Sequence, residues 1–171
     1  MKKTTLIALT ALAAIALLVP AGSAMAQSSA NASATATATI ITPITLTNTA
    51  ALQFGNVVAS TTAGTIVVSS AGVRSATLGA TAISGLPVSA AAFTVGGGAN
   101  RTFTITLPAS TTITDGTNNM TVGTFTSSLG ASSTLDGSGA AALAVGATLN
   151  VNASQPAGEY TGTFSVTVAY N

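Results

Sequence analysis

The sequence predicts an all-β protein, a sandwich or barrel of about nine or ten short strands. Three observations predict it. Threonine, valine and isoleucine are abundant after residue 27, while helical periodicity is hard to find there. Turn residues interrupt the apolar runs at short intervals, as between the strands of a sandwich or barrel. Several segments alternate apolar and hydroxyl residues, the period-2 signature of a strand with one face in a core.

The first residues stand apart. Lys2 and Lys3 make a positive start, Leu6 to Val19 is apolar, and Ala24-Met25-Ala26 is a small-x-small cleavage site. This reads as a bacterial-type secretory signal over 1–26, cut before Gln27. The stretch is too short and wrongly flanked for a membrane span. No membrane insertion is expected once it is removed.

The next segment, residues 27–47, reads as an N-terminal arm, and 48–171 as the sandwich domain. In the arm Ala32, Ala34, Ala36, Ala38 and Ile40 share one face, and Asn31, Ser33, Thr35, Thr37 and Thr39 share the other. Ile40-Ile41 breaks the phase. Pro43 removes a ladder donor and marks an edge, bulge or junction. Ile44 and Leu46 resume the alternation.

Strand candidates then follow in order. Leu52 to Val58 contains a Phe54-Gly55 step, and Thr65 to Ser70 is a short apolar run ended by Gly72. Ala76 to Ile83 is a weaker signal. Phe93 to Val95 leads into Gly96-Gly97-Gly98, expected to be a flexible connection. Thr102 to Leu107 reads TFTITL and stops at Pro108. Ile113 runs into the Asp115-Gly116 turn, and Met120 to Thr126 follows. Residues 127–140 are rich in serine and glycine and read as a loop. Leu143 to Val151 passes through Gly146. Gln155 to Gly158 is a turn, and the stretch from Gly158 to Asn171 reads as one long strand. On that strand Gly158, Tyr160, Gly162, Phe164, Val166, Val168 and Tyr170 form one face. No repeat of fixed period is present, which argues against a solenoid.

Charge and composition narrow the function classes. Only 4% of the residues are charged, and cysteine, histidine and tryptophan are absent. Beyond the signal only Arg74, Arg101, Asp115, Asp136 and Glu159 carry charge. A basic footprint for nucleic acid is missing. No histidine exists to activate a nucleophile or ligate zinc, and both lysines leave with the signal. Asp115 and Asp136 sit in turn contexts and Glu159 at a strand start, so the three acids read as structural. No enzyme, metal or cofactor is expected. Scattered Thr-x-Thr patches lack the stacked register of an ice-binding ladder. With aromatics at 4%, the girdles of an outer-membrane barrel are lacking.

The two ends carry a family resemblance. Gly158 stands fourteenth from Asn171, alternating apolar residues follow, and Tyr170 is next to last. This pattern resembles the terminal strand of chaperone–usher pilus subunits, and GEYTGTFSVTVAY also resembles the end of spore coat protein U-type domains. The alanine/threonine arm TATATIITPITLT resembles the donor segment of cysteine-free capsular-antigen pilins. Over most of residues 32–171 the chain is similar to a bacterial family of secreted domains of unknown function. The shared features are ATATI-x-x-PI, the L-x-FG step at Leu52–Gly55, and the closing QPAGEYTGT.

The resemblance implies an incomplete immunoglobulin-like, pilin-like sandwich that lacks a strand. It implies a structural subunit of a surface fibre or coat, secreted through the periplasm. The donor strand would be Ala32, Ala34, Ala36, Ala38 and Ile40. The pairing strand would carry Gly158, Tyr160, Phe164, Val166, Val168 and Tyr170. Partners would be copies of the chain, with a periplasmic chaperone and an outer-membrane usher. The alternative is a monomeric secreted binding module that closes its own sheet.

Overall fold

The alternating segments become ten strands among the described residues, which are 29–171 of the computed structural model. The expected signal lies outside the described residues. The strands are β1 (Thr45–Ala50), β2 (Asn56–Val68), β3 (Arg74–Ile83), β4 (Ala91–Gly96) and β5 (Thr102–Thr106), then β6 (Ser110–Thr114), β7 (Asn119–Ser127), β8 (Ser132–Thr134), β9 (Ala140–Val151) and β10 (Thr167–Tyr170). They form two antiparallel sheets, an all-β sandwich. The larger sheet runs β1-β4-β9-β2-β3, with β7 on β9 and β6 on β7. The smaller is β10-β5-β8.

The long strand β9 organises the larger sheet. Its first half, Ala140–Val145, pairs with β4, and its second half, Ala147–Val151, pairs with β2. The other edge of β9 pairs with β7. Gly146 sits where the partner changes, and a Cβ there would lie 2.3 Å from the Val68 carbonyl oxygen. Glycine permits the two strands to diverge from one point on β9. The inward residues Leu143, Val145, Ala147, Leu149 and Val151 are all buried.

The structure departs from the sequence expectations in four places. First, Leu52 to Val58 and Thr65 to Ser70 were expected as two strands, but β2 runs through the polar stretch between most of their lengths. Its pairing with β3 shifts between Ala59 and Gly64. Ser60 Oγ accepts the Thr62 N–H at 3.1 Å, satisfying the chain locally while the strand continues. Second, the expected 127–140 loop contains β8 and the buried Leu135, whose N–H donates to Arg101 O. Two leucines, Leu129 and Leu135, six places apart among serines and glycines give no periodic signal.

Third, Gly96-Gly97-Gly98 is not a flexible connection. Gly96 ends β4, Gly97 N–H donates to Gly139 O at 2.8 Å, and a Cβ on Gly97 would lie 2.2 Å from the Tyr170 hydroxyl. Close packing, rather than freedom, requires glycine here. Fourth, the 158–171 strand is a ladder only at Thr167–Tyr170, as described below.

The chain divides at Ala38, with Thr39–Asn171 forming one compact unit. Residues 29–38 form no helix or strand, and β1 begins at Thr45, within the segment read as arm. Inside the unit the core has two clusters. One joins both sheets through Val95, Leu143 and Val145 of the larger and Phe103 and Ile105 of the smaller. The other consists of Ile66, Ala80, Met120, Val122, Ala147, Leu149 and Val151, all on the larger sheet.

Phe103 is fully buried and joins the two sheets. Phe103→Ala is expected to lower the unfolding free energy by about 3–5 kcal/mol. The neighbouring exposed Thr104→Ala is expected to change it by less than about 0.5 kcal/mol. Urea unfolding of both variants measures the contrast.

Candidate functional site: an apolar groove beside the C-terminal segment

The second cluster has no full sheet over it. Partly buried Leu52, Phe54, Val57, Ile113 and Tyr160 flank it, and an open groove of about 1200 Å³ lies above. One wall is the Leu52–Ala59 stretch. The opposite wall is the segment from Gln155 to Phe164. Ile113, Met120, Val122, Leu149 and Val151 line the floor. Val58, Ile83 and Leu86 are exposed apolar residues among the lining side chains. Most of the lining side chains are apolar.

The C-terminal segment supplies the wall and an open backbone edge. Thr161 exchanges both backbone hydrogen bonds with Thr114, each 2.9 Å. Farther along, β10 pairs with β5 from Thr167↔Thr106 to Tyr170↔Phe103, and Asn171 N–H donates to Thr102 O. Between these two anchors the register slips, because Pro108 interrupts the partner between β5 and β6 and has no N–H to donate. Among the described residues, 162–166 make no backbone–backbone hydrogen bond. Only Thr111 Oγ1 bridges there, donating to Thr163 O at 2.7 Å.

The side chains of this segment keep the phase of the sequence pattern. Tyr160, Phe164, Val166, Val168 and Tyr170 are half-buried, while Glu159, Thr161, Thr163, Ser165, Thr167 and Ala169 are exposed. Phe164 packs against the cluster that joins the sheets, next to Phe125, which packs against both clusters. Its ring lies 4.8 Å from Phe125 and 6.4 Å, edge-on, from Phe93, within the range of favourable aromatic pairs. Tyr160 accepts from Gln155 Nε2 at 2.8 Å and donates to Pro156 O at 2.9 Å, closing the turn that enters the wall. Gly158 is exposed and lies against the Asp115 carboxylate, where a Cβ would come within 3.1 Å of Oδ2.

The proposed donor residues Ala32, Ala34, Ala36 and Ala38 lie in the stretch without regular structure. Ile40 is 97% exposed. The structure therefore gathers the six residues of the terminal pattern along one segment and leaves the five arm residues out of both sheets.

Two charged residues hold the groove walls. The Arg74 guanidinium donates to Phe54 O at 2.9 Å and Asn56 O at 3.2 Å from Nη1, and to Ile83 O at 2.9 Å from Nη2. It ties the entry of β2 to the end of β3. Its sequence signal is a lone arginine opening a strand in a chain almost free of charge. Asp115 organises the β6–β7 turn. It accepts from the Asn118 side chain at 3.0 Å and from the Asn118 and Thr117 backbone N–H groups. Those bonds, the Asn118 side chain first, lower its pKa from 3.8 to about 2. Asp136 is lowered likewise, by the Ser138 hydroxyl and then by the Ala140 and Ser138 N–H groups. Both carboxylates are engaged by local turn donors. Among the described residues no group of three His, Cys, Asp or Glu is placed to hold a metal ion.

Arg74→Ala is expected to lower stability by about 2 kcal/mol, because charge-assisted hydrogen bonds to three carbonyls are lost. Arg74→Lys recovers only part of it. Chemical unfolding checks both. The folded pKa of Asp115 lies below its unfolded value, so its contribution is complete above about pH 4 and drains as pH falls toward 2. The unfolding midpoint is expected to fall through that window. Asp115→Asn is expected to flatten the fall, leaving the share that Asp136 contributes.

No curated protein and no solved structure matches the chain. The family described as domain of unknown function DUF4402 matches residues 44–170, from the entry to β1 to the end of β10. The chain belongs to the DUF4402 family.

Proposed function

We propose that this chain is a structural subunit of a bacterial surface fibre or coat, assembled by β-strand donation between copies of itself. The observation that carries the reading is the open half of the core beside an unpaired backbone edge. An extended segment laid along Gly162–Val166 gains backbone hydrogen bonds, and every second side chain enters the groove. Affinity of that kind needs no catalytic residue.

The occupant is the Ala32–Ile40 segment of a second copy. It alternates small apolar and hydroxyl residues, and it lies outside both sheets of its own chain. Its alanines bury little, so backbone pairing carries much of the binding. Ile40 is the one large side chain on that face and the natural anchor. The low charge suits a surface that meets copies of itself. The pattern shared with pilus subunits and coat-type domains supports the same reading. On it, the chain passes through the periplasm behind its signal, a chaperone strand covers the groove until assembly, and an usher exports the subunit.

The test is an SDS gel of the secreted protein, unboiled and boiled. A ladder that collapses to monomer on boiling is expected. A variant lacking Ala30–Thr39 is expected to fold but give no ladder. Polymers that survive the deletion would overturn strand donation by this arm. A single monomer band in both lanes of the wild type would instead make the domain a self-contained sandwich with a binding cleft.

A further inference from the structure

One contact joins the C-terminal segment to the root of the arm. The Tyr170 hydroxyl accepts the Gly98 N–H at 2.7 Å and donates to the Thr42 carbonyl at 2.8 Å. Its ring packs into the cluster shared by both sheets, together with Ile44 and Leu46. Gly97 leaves space for the hydroxyl, since a Cβ there would lie 2.2 Å from it. Pro43 follows Thr42, lacks an N–H, and biases Thr42 toward an extended backbone. The carbonyl of Thr42 is thus held by a side chain just before the β1 ladder begins. Two residues earlier Ile40 is 97% exposed. Thr42 is thus tied to the far end of the chain close to the start of the compact unit at Thr39.

We propose that Tyr170 is a latch that fixes the exit of the N-terminal arm and sets the joint between neighbouring copies of this chain. The proposal rests on the strand-donation reading. If a donated segment ends at Ile40, only Ile41 separates it from the latched Thr42. Two residue steps span at most about 7 Å. Successive domains in a fibre are then joined by almost no free chain, and the fibre is stiff. Tyr170 is a positioning residue here, acting through Thr42 rather than by touching the partner.

Two readouts test it, the first independent of assembly. Tyr170→Phe keeps the ring and removes both hydrogen bonds. Hydrogen exchange on the full-length secreted chain is expected to speed up about tenfold at Gly98 and at the first residues of β1, a loss equal to about one hydrogen bond. The β2–β9 amides are expected to stay unchanged. Unchanged exchange at Gly98 and β1 would overturn the latch. The second readout is the bending of fibres in electron micrographs. A four-residue Gly-Ser insertion between Ile41 and Thr42 is expected to leave the fold intact and shorten the persistence length several-fold, with Tyr170→Phe changing it in the same direction. Exchange speeded equally throughout the domain would also overturn the latch, because the contact would then hold the whole fold rather than the exit of the arm. Equal stiffness of wild-type and insertion fibres would overturn the stiff joint. Wild type that forms no fibres would overturn strand donation and the joint with it, while the exchange experiment still judges the latch.

Discussion

β9 carries ladders to three neighbours, with β4 and then β2 along one edge and β7 along the other. Gly146 makes this possible, because the backbone of Val68 and Ser69 comes closer there than any Cβ allows. From that point β4 and β2 diverge. The diverging strands split the inner face of the larger sheet into two areas, and each gathers its own hydrophobic cluster.

The two areas have different fates. The β4 half faces β5 and β10, and the two sheets close on Phe103, Leu143 and Val145. The β2 half is flanked by the entry to β2, Ile113, Phe125 and Tyr160 rather than by a second sheet. Among the described residues no ladder spans the gap, so a groove remains. A chain with no cysteine has no covalent tie to hold such walls. Polar groups perform the task instead. Arg74 gathers three carbonyls on one side, and the Asp115 turn abuts Gly158 on the other. In a protein so poor in charge, the few ionic groups are concentrated in turns and at strand junctions, where backbone groups lack ladder partners.

The C-terminal segment serves both halves. Phe164 packs on Phe93 and on Phe125, the ring that touches both clusters, Tyr160 lines the groove, and Tyr170 reaches back to the root of the arm. The acceptor edge of the proposed assembly and the hydrogen bond to the root of its donor arm thus lie on one segment. The side-chain phase of this segment follows directly from its composition. Its pairing does not, since a break in the partner at Pro108 leaves 162–166 outside any ladder.

Local alternation by itself determined the all-β class, most strand positions, and the inward face of residues 160–170, because a period of two depends only on neighbouring residues. The same locality made the turns at Asp115 and Gln155–Gly158 legible. Tertiary structure alone decided the rest. It merged two apolar runs into β2 through a bulge, buried Leu135 within a polar loop, and turned Gly96–Gly98 from an expected flexible connection into the seat of Tyr170. It also placed Arg74 on carbonyls distant in sequence and left half of one core face open. Each of these depends on which strand lies beside which. That choice is made by long-range pairing and packing, and no window of adjacent residues encodes it.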